Sequence, residues 1–495
     1  MTVHAHHHDP AHPVRARSLD AHRALVVGAG ASGRAAARLL VGAGVEVVLV
    51  DERPADGQVA AECARDTGAE VVLGRRAEEQ FTSEVDLVVP SPGVPEHAPV
   101  LLAAADRGTR VWSEPELALR RHPRRLLAVT GTNGKTSTTE LLAAMCLAGG
   151  LDAHACGNIG RTVSEAAAAS TDSAVLVAEL SSFQLRFATT LAPEVAVLLN
   201  VAPDHLDWHT DLASYHRSKA RIFANQTPQQ WAVAGVDDAT AVALREGTGA
   251  ARRAGFSAHG PVDIGVGRRV GPGVPDRLTV SLPMYDGELL AVAELSGDGA
   301  PVPIHRVANV AAAATAALLA GVAPDAVATA AVATVPGAHR FQTVASDPRG
   351  VRYVDDSKAT NVHAALSALT SAGPGVWIAG GLAKGVDLTP LAAGLGAIHD
   401  AVLIGTAARE LAAVCEQAGV PAHHAGDLDA AVAMAARLAR PGDTVLLAPA
   451  CASFDQFDSY VHRGRVFAAA AARAAGVPLA PAPGLDTTPS READR

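Results

Sequence analysis

The sequence predicts an α/β protein in which three domains follow one another along a chain of 495 residues. Short apolar runs typical of buried strands alternate with alanine-rich segments typical of helices over most of the length. Glycines with the spacing GxGxxG follow the first apolar run, at Gly28, Gly30 and Gly33, and a second glycine-rich loop, TGTNGKT, occupies 130–136. These observations predict a Rossmann-like N-terminal domain, a central P-loop ATPase domain and a Rossmann-like C-terminal domain.

The composition narrows the class of protein and its partners. With 49% hydrophobic and 19% charged residues, the chain can build sizeable cores, which argues against global disorder. The formal net charge of −10 argues against a nucleic-acid or membrane-surface partner. The five cysteines include no CxxC pair, so we expect a reducing compartment without disulfides or a zinc site. We find no secretory signal, and the apolar run 307–323 is mostly alanine, which favours a packed helix in a cytoplasmic protein.

The N-terminal domain is expected at 23–123, behind a disordered His-rich head at 1–22. Residues 23–52 read as strand, glycine turn, helix and strand, and Asp51 ends the second strand at the distance typical of a dinucleotide-binding unit. Many α/β folds use glycines here for tight packing alone, so the motif by itself leaves the ligand open. The segment 86–95 predicts a further strand that stops at a Ser-Pro-Gly turn.

The central domain is expected at 124–336 and opens on the strongest single motif of the chain. Backbone N–H groups from Gly131 to Gly134 can point at a phosphate, and the following helix adds the partial positive charge of its N-terminus. Lys135 would supply a full charge to the β- and γ-phosphates of ATP, and Thr136 could ligate Mg²⁺. The loop lacks the first glycine of the common Walker A pattern.

Two later stretches of the central domain carry structural predictions. The segment 277–295 alternates apolar and polar residues around Asp286–Gly287, which predicts a β-hairpin that turns at this dipeptide. The Gly- and Pro-rich stretch 247–276 reads as loops.

The C-terminal domain is expected at 337–477, after a hinge predicted at Pro336 and Gly337. Apolar strands alternate there with alanine-rich helices, as in the first domain. The residues 478–495 are expected to form a disordered tail.

Six polar clusters come directly after apolar, strand-like runs. Solvent exposure of a loop would explain one such cluster, but it does not explain why six runs share this pattern. Ligands of open parallel sheets bind beyond the carboxyl ends of the strands, so these clusters should converge on the clefts between domains. Glu179 ends a buried strand, where a metal ion would compensate its carboxylate. His205 follows a similar strand, although a lone histidine is more often structural. Three cations, Arg340, Lys358 and Lys384, would suit a triphosphate and an anionic substrate.

Eight segments together resemble the Mur ligases of peptidoglycan synthesis over about 23–477: TGTNGKT, CGNIG, ELSSFQL, NVAPDHLDWH, SYHRSKARIF, GAHRF, DDSKATN and PACASFDQF. DDSKATN and PACASFDQF are the discriminating segments, and they resemble the family member that adds D-glutamate to UDP-N-acetylmuramoyl-L-alanine. The resemblance implies a ligase that uses ATP and Mg²⁺ and joins a carboxylate to an amine through an acyl phosphate. We expect it to act as a monomer.

The resemblance also implies residue roles at the matching positions. ATP would be bound by Gly131, Thr132, Asn133, Gly134, Lys135, Thr136, Ser137, Asn309, Arg340 and Asp356. The UDP-linked substrate would be held by Ser32, Asp51, Glu52, Ser91, Gly93, Asn158 and His205. Glutamate would be held by Thr360, Lys384, Ser453, Phe454 and Tyr460. Mg²⁺ would be ligated by Thr136, Glu179, His205 and Lys219, and the catalytic set would be Lys135, Glu179, His205, Lys219 and Lys358.

Lys219 needs a chemical explanation, because an ammonium group with a pKa of about 10.4 cannot ligate a cation. In this family the matching lysine is carbamylated by CO₂, which gives it an anionic oxygen, and the resemblance implies the same for Lys219. Without the resemblance, Lys219 would read as a plain surface charge on a helix.

Three positions depart from the family pattern, and several alternatives stay open. Glu52 stands where a threonine is more common, Leu382–Ala383 replaces a polar pair, and Tyr460 replaces a common phenylalanine. Another Mur ligase, or a folylpolyglutamate synthase-like ligase, would share the ATP loop, although the latter lacks the GxGxxG unit. A GxGxxG dehydrogenase would leave DDSKATN unexplained, and an ATP-binding regulator would bind nucleotide without turnover. L-glutamate as the acceptor also stays open.

Overall fold

Three β-sheets, each covered by helices, follow one another along the chain and confirm the predicted α/β class. The computed structural model describes residues 19–54, 56–206, 208–296, 301–383 and 385–478. Each sheet is wholly or mostly parallel, so most connections between neighbouring strands cross over through a helix.

The N-terminal sheet is entirely parallel. The elements of this domain are β1 (Arg23–Val27), α1 (Ala31–Gly42), β2 (Glu46–Asp51), α2 (Gly57–Thr67), β3 (Glu70–Leu73), β4 (Leu87–Pro90), α3 (Pro99–Arg107), β5 (Arg110–Val111) and α4 (Glu114–Arg121). The strand order is β3-β2-β1-β4-β5. Leu25 and Val26 of β1 are both fully buried although they face opposite sides, because helices cover both faces of the sheet.

The central domain contains the largest sheet. Its elements are β6 (Arg125–Thr130), α5 (Lys135–Ala148), β7 (Ala153–Gly157), α6 (Val163–Ala169), β8 (Val175–Glu179), α7 (Ser182–Arg186), β9 (Val195–Leu198), α8 (Leu212–Ala224), β10 (Trp231–Gly235), α9 (Ala239–Glu246), β11 (Arg252–Phe256), β12 (Gly265–Gly271), β13 (Val274–Leu282), β14 (Tyr285–Ala291), α10 (Ile304–Leu319) and α11 (Pro324–Ala333). The strand order is β14-β13-β12-β11-β10-β9-β6-β8-β7. Strand β6 lies between β8 and β9, so the segments that follow these three strands emerge side by side.

Helix α10 corresponds to the alanine-rich run 307–323 and packs in the core of the central domain. Val310 and Ala313 are fully buried in a cluster that also contains residues of α5 and of the sheet. Alanine is small enough for the helix to approach its neighbours closely, which explains the composition of this run. No helix of the described part of the chain combines the length and the hydropathy needed to cross a bilayer.

Two sequence predictions for the central domain are wrong in detail. The hairpin β13–β14 exists, but Leu282 pairs with Tyr285, so the turn is at Pro283–Met284 and not at Asp286–Gly287, which pair with β13. The stretch predicted as loops contains β11 and β12. These strands expose several arginines and bury few apolar residues, so no alternating pattern marks them in the sequence.

The C-terminal sheet is parallel except for its first edge strand. The elements are β15 (Gln342–Ser346), β16 (Arg352–Asp355), α12 (Val362–Ala372), β17 (Gly375–Gly380), β18 (Ile398–Ile404), α13 (Ala408–Gln417), β19 (Ala422–His424), α14 (Leu428–Leu438), β20 (Thr444–Leu447) and α15 (Tyr460–Ala475). The order is β15-β16-β20-β17-β18-β19, with β15 antiparallel to β16. Trp377 of β17 is fully buried and satisfies its indole N–H by donating to the Ala448 carbonyl at 2.8 Å.

Many helices begin at a residue whose side chain caps the first turn. These side chains accept hydrogen bonds from backbone N–H groups that have no partner inside the helix. The capping residues are Asp56, Thr162, Ser181, Asp211, Asp238, Asn361, Asp427 and Ser459. Several of these caps lie in the loops that follow a strand. The same loops therefore begin the helices and carry the polar clusters predicted from the sequence.

The predicted domain spans 23–123, 124–336 and 337–477 each contain one of the three sheets, and their limits stay predictions. Leu19, within the predicted head, is buried against the N-terminal core. Most of the predicted head and tail, residues 1–18 and 479–495, lies outside the described residues.

Candidate active site

The phosphate loop connects β6 to α5 and is held in shape by its neighbours. Gly134, at the start of α5, has a φ of +85°, which a residue with a side chain rarely adopts. A β-carbon at this position would also lie 2.4 Å from Oδ1 of Asn309 on α10. Asn200, at the end of β9, fixes the loop because its amide accepts from Asn133 N at 2.9 Å and donates to Asn133 O at 3.1 Å. The loop is therefore preorganised before any ligand binds.

Two lysines donate to the same backbone carbonyl of this loop. Lys135 Nζ lies 3.0 Å from Gly131 O and 2.9 Å from Thr132 O, and Lys219 Nζ lies 2.7 Å from Gly131 O. Burial lowers the pKa of Lys135, and the charges of Glu179 and Asp204 oppose this effect. Thr136 and Ser137, in the first turn of α5, are half-buried beside Lys135.

Lys219 is not a surface residue, so the interpretation as an exposed charge is wrong. Only 2% of the residue is exposed, and Nζ lies 4.6 Å from the ring centre of Tyr215, one turn earlier on α8. Burial lowers the pKa of Lys219 well below its usual value, and the neighbouring charge of Lys135 lowers it further. The neutral amine is the form that reacts with CO₂, so this environment suits a carbamate.

Glu179 ends β8 beside the phosphate loop, as the sequence predicts. Only 2% of the residue is exposed, and Oε1 accepts from Asn158 Nδ2 at 2.9 Å. Within the described residues, Oε2 is buried and has no hydrogen-bond partner. A buried carboxylate oxygen without a partner is costly, and a divalent cation would satisfy it. The residues present at this position therefore fit Mg²⁺.

His205 lies beyond the end of β9, where its backbone has a φ of +54°. The His205 ring packs edge-on against Phe183 at a centroid distance of 4.8 Å, and the backbone N–H of His205 donates to Asp204 Oδ1 at 2.9 Å. The described part of the chain gathers no group of three His, Cys, Asp or Glu side chains around a common metal position. A magnesium site here therefore needs ligands of other kinds, such as the Thr136 hydroxyl, a modified lysine and ligand oxygens.

The C-terminal domain touches the phosphate loop through side-chain amides. Asn133 Nδ2 donates to Asn361 Oδ1 at 3.2 Å, and Asn361 Nδ2 donates back to Asn133 Oδ1 at 3.1 Å. Asn133 Nδ2 also lies 3.0 Å from His363 Nδ1, and Asn361 Nδ2 lies 3.5 Å from Asp204 Oδ2. Because Asn361 also caps α12, its hydrogen bonds to Asn133 fix the position of that helix relative to the phosphate loop.

Two of the three predicted cations of the C-terminal domain lie near the phosphate loop. The charges of Lys358 and Arg340 both lower the pKa of Lys135, so these two residues lie close enough to interact with it. Lys358 Nζ lies 3.8 Å from the ring centre of Tyr460, which holds the lysine through a cation–π contact. Burial raises the pKa of the predicted ribose ligand Asp356 to about 7, and the adjacent Asp355 carboxylate adds to this.

Four of the five predicted glutamate residues lie beyond the ends of β16 and β20, which are neighbours in the sheet, and at the start of α15. Thr360 and Tyr460 are half-buried, Ser453 is buried and Phe454 is exposed, while Lys384 lies outside the described residues. Arg463 of α15 is fully buried and fastens this region, because it donates to Ser357 Oγ at 3.0 Å, Ser357 O at 2.9 Å and Cys451 O at 3.1 Å.

Five of the predicted UDP-substrate residues lie at the carboxyl edge of the N-terminal sheet, while Asn158 and His205 belong to the central domain. Asp51 Oδ2 accepts from Ala29 N at 2.7 Å, which holds the glycine turn. Ser91 Oγ donates to Gly28 O at 3.1 Å, and a β-carbon on Gly33 would lie 1.8 Å from the same oxygen, so only glycine fits there. Ser32 is half-buried, and Glu52 and Gly93 are exposed. Asn158 belongs to the central domain, where its contact with Glu179 connects the substrate set to the metal set.

A small cleft lies where the N-terminal and central domains meet. It is lined by Pro90, Ser91, Pro92, Ser113, Glu114, Phe183, Gln184, Phe187 and Trp208. Glu114 is buried: Oε1 accepts from Ser164 N at 2.5 Å, and Oε2 has no hydrogen-bond partner among the described residues. Burial raises the pKa of Glu114 to about 7. The carboxyl group therefore titrates in a range where the unfolded chain is already ionised.

Sequence reasoning missed several residues of this site. Asp204 precedes His205 in the same segment, and its position could have been inferred from that neighbour. Tyr215 is four residues before Lys219 and shares its helix face, which is a usable signal. Its hydroxyl lies 2.8 Å from Thr132 Oγ1. Arg463 carries no such signal, because an arginine in an alanine-rich helix reads as an exposed residue.

We predict that Glu114→Gln makes the protein more stable at pH 8 and has little effect at pH 5. The folded-state pKa is raised, so the folded state holds a proton that the unfolded chain releases between about pH 4.5 and 7. Stability from this group is therefore present at low pH and lost as the pH rises, by on the order of 3 kcal/mol. Denaturant unfolding of both proteins at the two pH values checks this, and an equal stability difference at both would contradict it.

We predict that Asn361→Asp opens the contact between the C-terminal domain and the phosphate loop. Aspartate preserves the cap of α12, but it cannot donate to Asn133 Oδ1 and places a carboxylate beside Asp204. The arrangement in which the C-terminal domain contacts the phosphate loop should become less populated by about tenfold. Small-angle scattering should give a larger radius of gyration for the variant than for the wild type, and identical profiles would contradict the prediction.

Comparison with protein families matches all three domains. The Mur ligase MurD-like N-terminal domain matches residues 22–113, the Mur ligase middle domain 129–272, and the Mur ligase glutamate ligase domain 339–451. The chain is also similar to several proteins named UDP-N-acetylmuramoylalanine–D-glutamate ligase. The relative from Frankia casuarinae is 46% identical over 451 residues, which cover 90% of this chain and 93% of the relative. Those from Thermobifida fusca and Mycobacterium tuberculosis are 41% and 40% identical, again over 90% of this chain and over 97% and 95% of theirs.

Solved structures support the fold at lower identity. MurF from Acinetobacter baumannii aligns with a TM-score of 0.55 at 17% identity, over 88% of this chain and 86% of that one. UDP-N-acetylmuramate–alanine ligase from Thermotoga maritima aligns with a TM-score of 0.53 at 17% identity, over 90% and 98%. The relatives thus confirm the family resemblance inferred from the sequence over 90% of the chain. The chain belongs to the Mur ligase family, in the group of the UDP-N-acetylmuramoylalanine–D-glutamate ligases.

Proposed function

We propose that this chain is the ATP-dependent ligase that joins D-glutamate to UDP-N-acetylmuramoyl-L-alanine in the synthesis of peptidoglycan precursors. The observation that carries the proposal is the arrangement of a phosphate loop, Glu179 and Lys219 around one strand edge, which the C-terminal domain faces with Arg340 and Lys358. Relatives of that name are 40–46% identical over 90% of the chain. We further propose that it acts as a monomer in the cytoplasm.

The proposed reaction has two steps. A carboxylate oxygen of the UDP-linked substrate attacks the γ-phosphorus of ATP, ADP leaves, and an acyl phosphate forms. The neutral amine of D-glutamate then attacks the acyl carbon, the nitrogen gives up a proton to the phosphate group, and hydrogen phosphate leaves from the tetrahedral intermediate as the amide forms. Condensing a carboxylate with an ammonium directly is unfavourable in water, so activation by ATP is required. The protein's part is to position the reactants and to neutralise charge.

Three half-buried cations would supply the charge neutralisation. Lys135, on the phosphate loop, would contact the β- and γ-phosphates, and Arg340 and Lys358 would approach them from the C-terminal domain. The phosphates in turn would stabilise the charge of Lys135, which burial disfavours in the protein alone. Binding of ATP and charging of the loop are therefore coupled.

The residues that fit Mg²⁺ are those that the family resemblance assigns. Thr136 and Glu179 would hold one ion next to the phosphate loop, and His205 with a carbamylated Lys219 would hold a second. Mg²⁺, when bound, neutralises phosphate oxygens and polarises the phosphorus for attack. Asn158 orients Glu179 by donating to its Oε1, which leaves Oε2 for the ion.

The two organic substrates would enter from opposite sides of this centre. The UDP moiety would bind at the edge of the N-terminal sheet, near Asp51 and Ser91, so the GxGxxG turn would serve a uridine diphosphate and not a nicotinamide dinucleotide. D-glutamate would bind near Thr360 and Ser453 in the C-terminal domain. The acyl phosphate would then form where all three domains meet.

The proposed activity is tested by phosphate release from ATP in the presence of UDP-N-acetylmuramoyl-L-alanine and a panel of amino acids. We expect release only with D-glutamate among both enantiomers of glutamate and the other acceptors. Release with L-glutamate alone would retain the chemistry and overturn the acceptor. No release despite ATP binding would contradict the proposal, and a folate acceptor would then test the folylpolyglutamate synthase-like alternative.

We predict that Lys219 carries a carbamate and that its loss abolishes turnover. Wild-type protein incubated with ¹³C-bicarbonate should show a carbamate carbon by NMR that Lys219→Ala lacks. The kcat of the variant should fall by at least about a hundredfold, because the variant lacks the anionic carbamate that would hold one of the Mg²⁺ ions. Removing bicarbonate should slow the wild type and leave the residual rate of the variant unchanged. An unlabelled wild type that is indifferent to bicarbonate would contradict the prediction.

A further inference from the structure

We propose that Glu96 is a positioning residue that aligns the UDP-substrate edge of the N-terminal domain with the catalytic end of the central domain. The inference rests on the proposed function for the identity of the substrate. Glu96 lies in the loop between β4 and α3, a few residues beyond Ser91 and Gly93.

The Glu96 carboxylate lies at the junction between the two domains and is almost fully enclosed. Its side chain is only 4% exposed, and every donor to it comes from the central domain. Oε2 accepts from Arg186 Nε at 2.8 Å and from Ser214 Oγ at 2.9 Å. Oε1 accepts from Thr210 N at 2.7 Å, Thr210 Oγ1 at 2.6 Å and Ser214 Oγ at 2.8 Å. These five contacts, one of them from a charged guanidinium group, hold the carboxylate in one position.

The donors lie on the segments that carry the predicted metal ligands. Thr210 ends the turn that begins at His205, and Ser214 is in the first turn of α8. One turn further along α8, Lys219 donates to the phosphate loop. A single carboxylate of the N-terminal domain is therefore attached to both the His205 turn and the start of the Lys219 helix. Contacts within the central domain hold these two segments in place by themselves, through Phe183 at His205 and Gly131 O at Lys219.

The surroundings require a carboxylate at this position. Burial opposes ionisation, but hydrogen bonds from Thr210, Arg186 and Ser214 hold the pKa of Glu96 at about 2. The neighbouring His209 is 3.8 Å away, and burial lowers its pKa to about 4, so Arg186 is the cationic partner. An amide could accept at one oxygen only, and its NH₂ group would face one of the present donors. Glu96→Gln therefore removes the alignment while keeping the shape.

The expected consequence is a change in substrate affinity and not in the chemical step. If Glu96 holds the two domains in register, the free protein already has the binding-competent arrangement, and losing it reduces the competent fraction. We expect Glu96→Gln to raise KM for UDP-N-acetylmuramoyl-L-alanine by about tenfold, with KM for ATP and kcat within about twofold of wild type. Ser214→Ala, which removes one donor group, should raise the same KM by a smaller factor.

The test uses the full chain and two readouts. Initial rates of phosphate release give KM and kcat, and calorimetric titration with UDP-N-acetylmuramoyl-L-alanine without ATP gives the affinity directly. Arg38→Met is the matched control, because it removes a different contact between these domains, the 2.8 Å ion pair with Glu165, and should leave both values unchanged. If the wild type binds this substrate but shows no turnover, the proposed function fails and the titration still tests Glu96.

Two results would overturn the inference. One is unchanged affinity for the UDP-linked substrate in both Glu96→Gln and Ser214→Ala while their melting temperatures fall, because that pattern marks a purely structural role. The other is an equal loss of affinity in Arg38→Met, which would mean that any contact between the domains has the same effect. If Glu96→Gln does not fold, Ser214→Ala alone decides between the two readings.

Discussion

The rest of the structure depends on the electrostatic cost of placing two lysines, the buried Lys219 and the half-buried Lys135, on one carbonyl oxygen. Lys135 and Lys219 approach Gly131 O from α5 and α8, and burial disfavours the charged form of both. Such an arrangement is stable only if one amine is neutral or modified, or if anions are supplied from outside. Glu179 and Asp204 supply part of this negative charge. A triphosphate and a carbamate on Lys219 would supply the rest of the negative charge. The charge balance of the site is therefore complete only when anionic groups are bound.

The same constraint explains why three domains meet here. A sheet edge can present a phosphate loop, but it cannot enclose it, and enclosure is what makes the charges effective. The C-terminal domain contributes Arg340 and Lys358 and touches the loop through Asn361. The N-terminal domain reaches the opposite side through Glu96 and its donors on the central domain. Contacts between domains are thus concentrated on the segments that carry the chemistry.

Sequence reasoning identified the fold class and the chemically distinctive residues, but not how they are held. Glycine spacing and strand-end polarity are local signals, so the P-loop, Glu179 and the carboxyl-edge position of the site could be read from them. The burial of Lys219 and Arg463 could not, because it depends on which helix faces the sheet. The strands β11 and β12 were not predicted, because their adjacent arginines and glycines interrupt the alternation of apolar and polar residues that marks a strand. The hairpin turn was misplaced because Asp-Gly is a frequent turn pair and the register lies in cross-strand pairing.

The contact between Asn133 and Asn361 is made of two neutral amides, each of which donates to the other. The two amides carry no charge, so ionic strength has little influence on the bonds between them. Burial lowers the pKa of the adjoining His363, which keeps this imidazole neutral near pH 7 as well. Salt in the cell can therefore screen the attraction between the anionic substrates and the cations of the site without weakening the Asn133–Asn361 contact between the two domains.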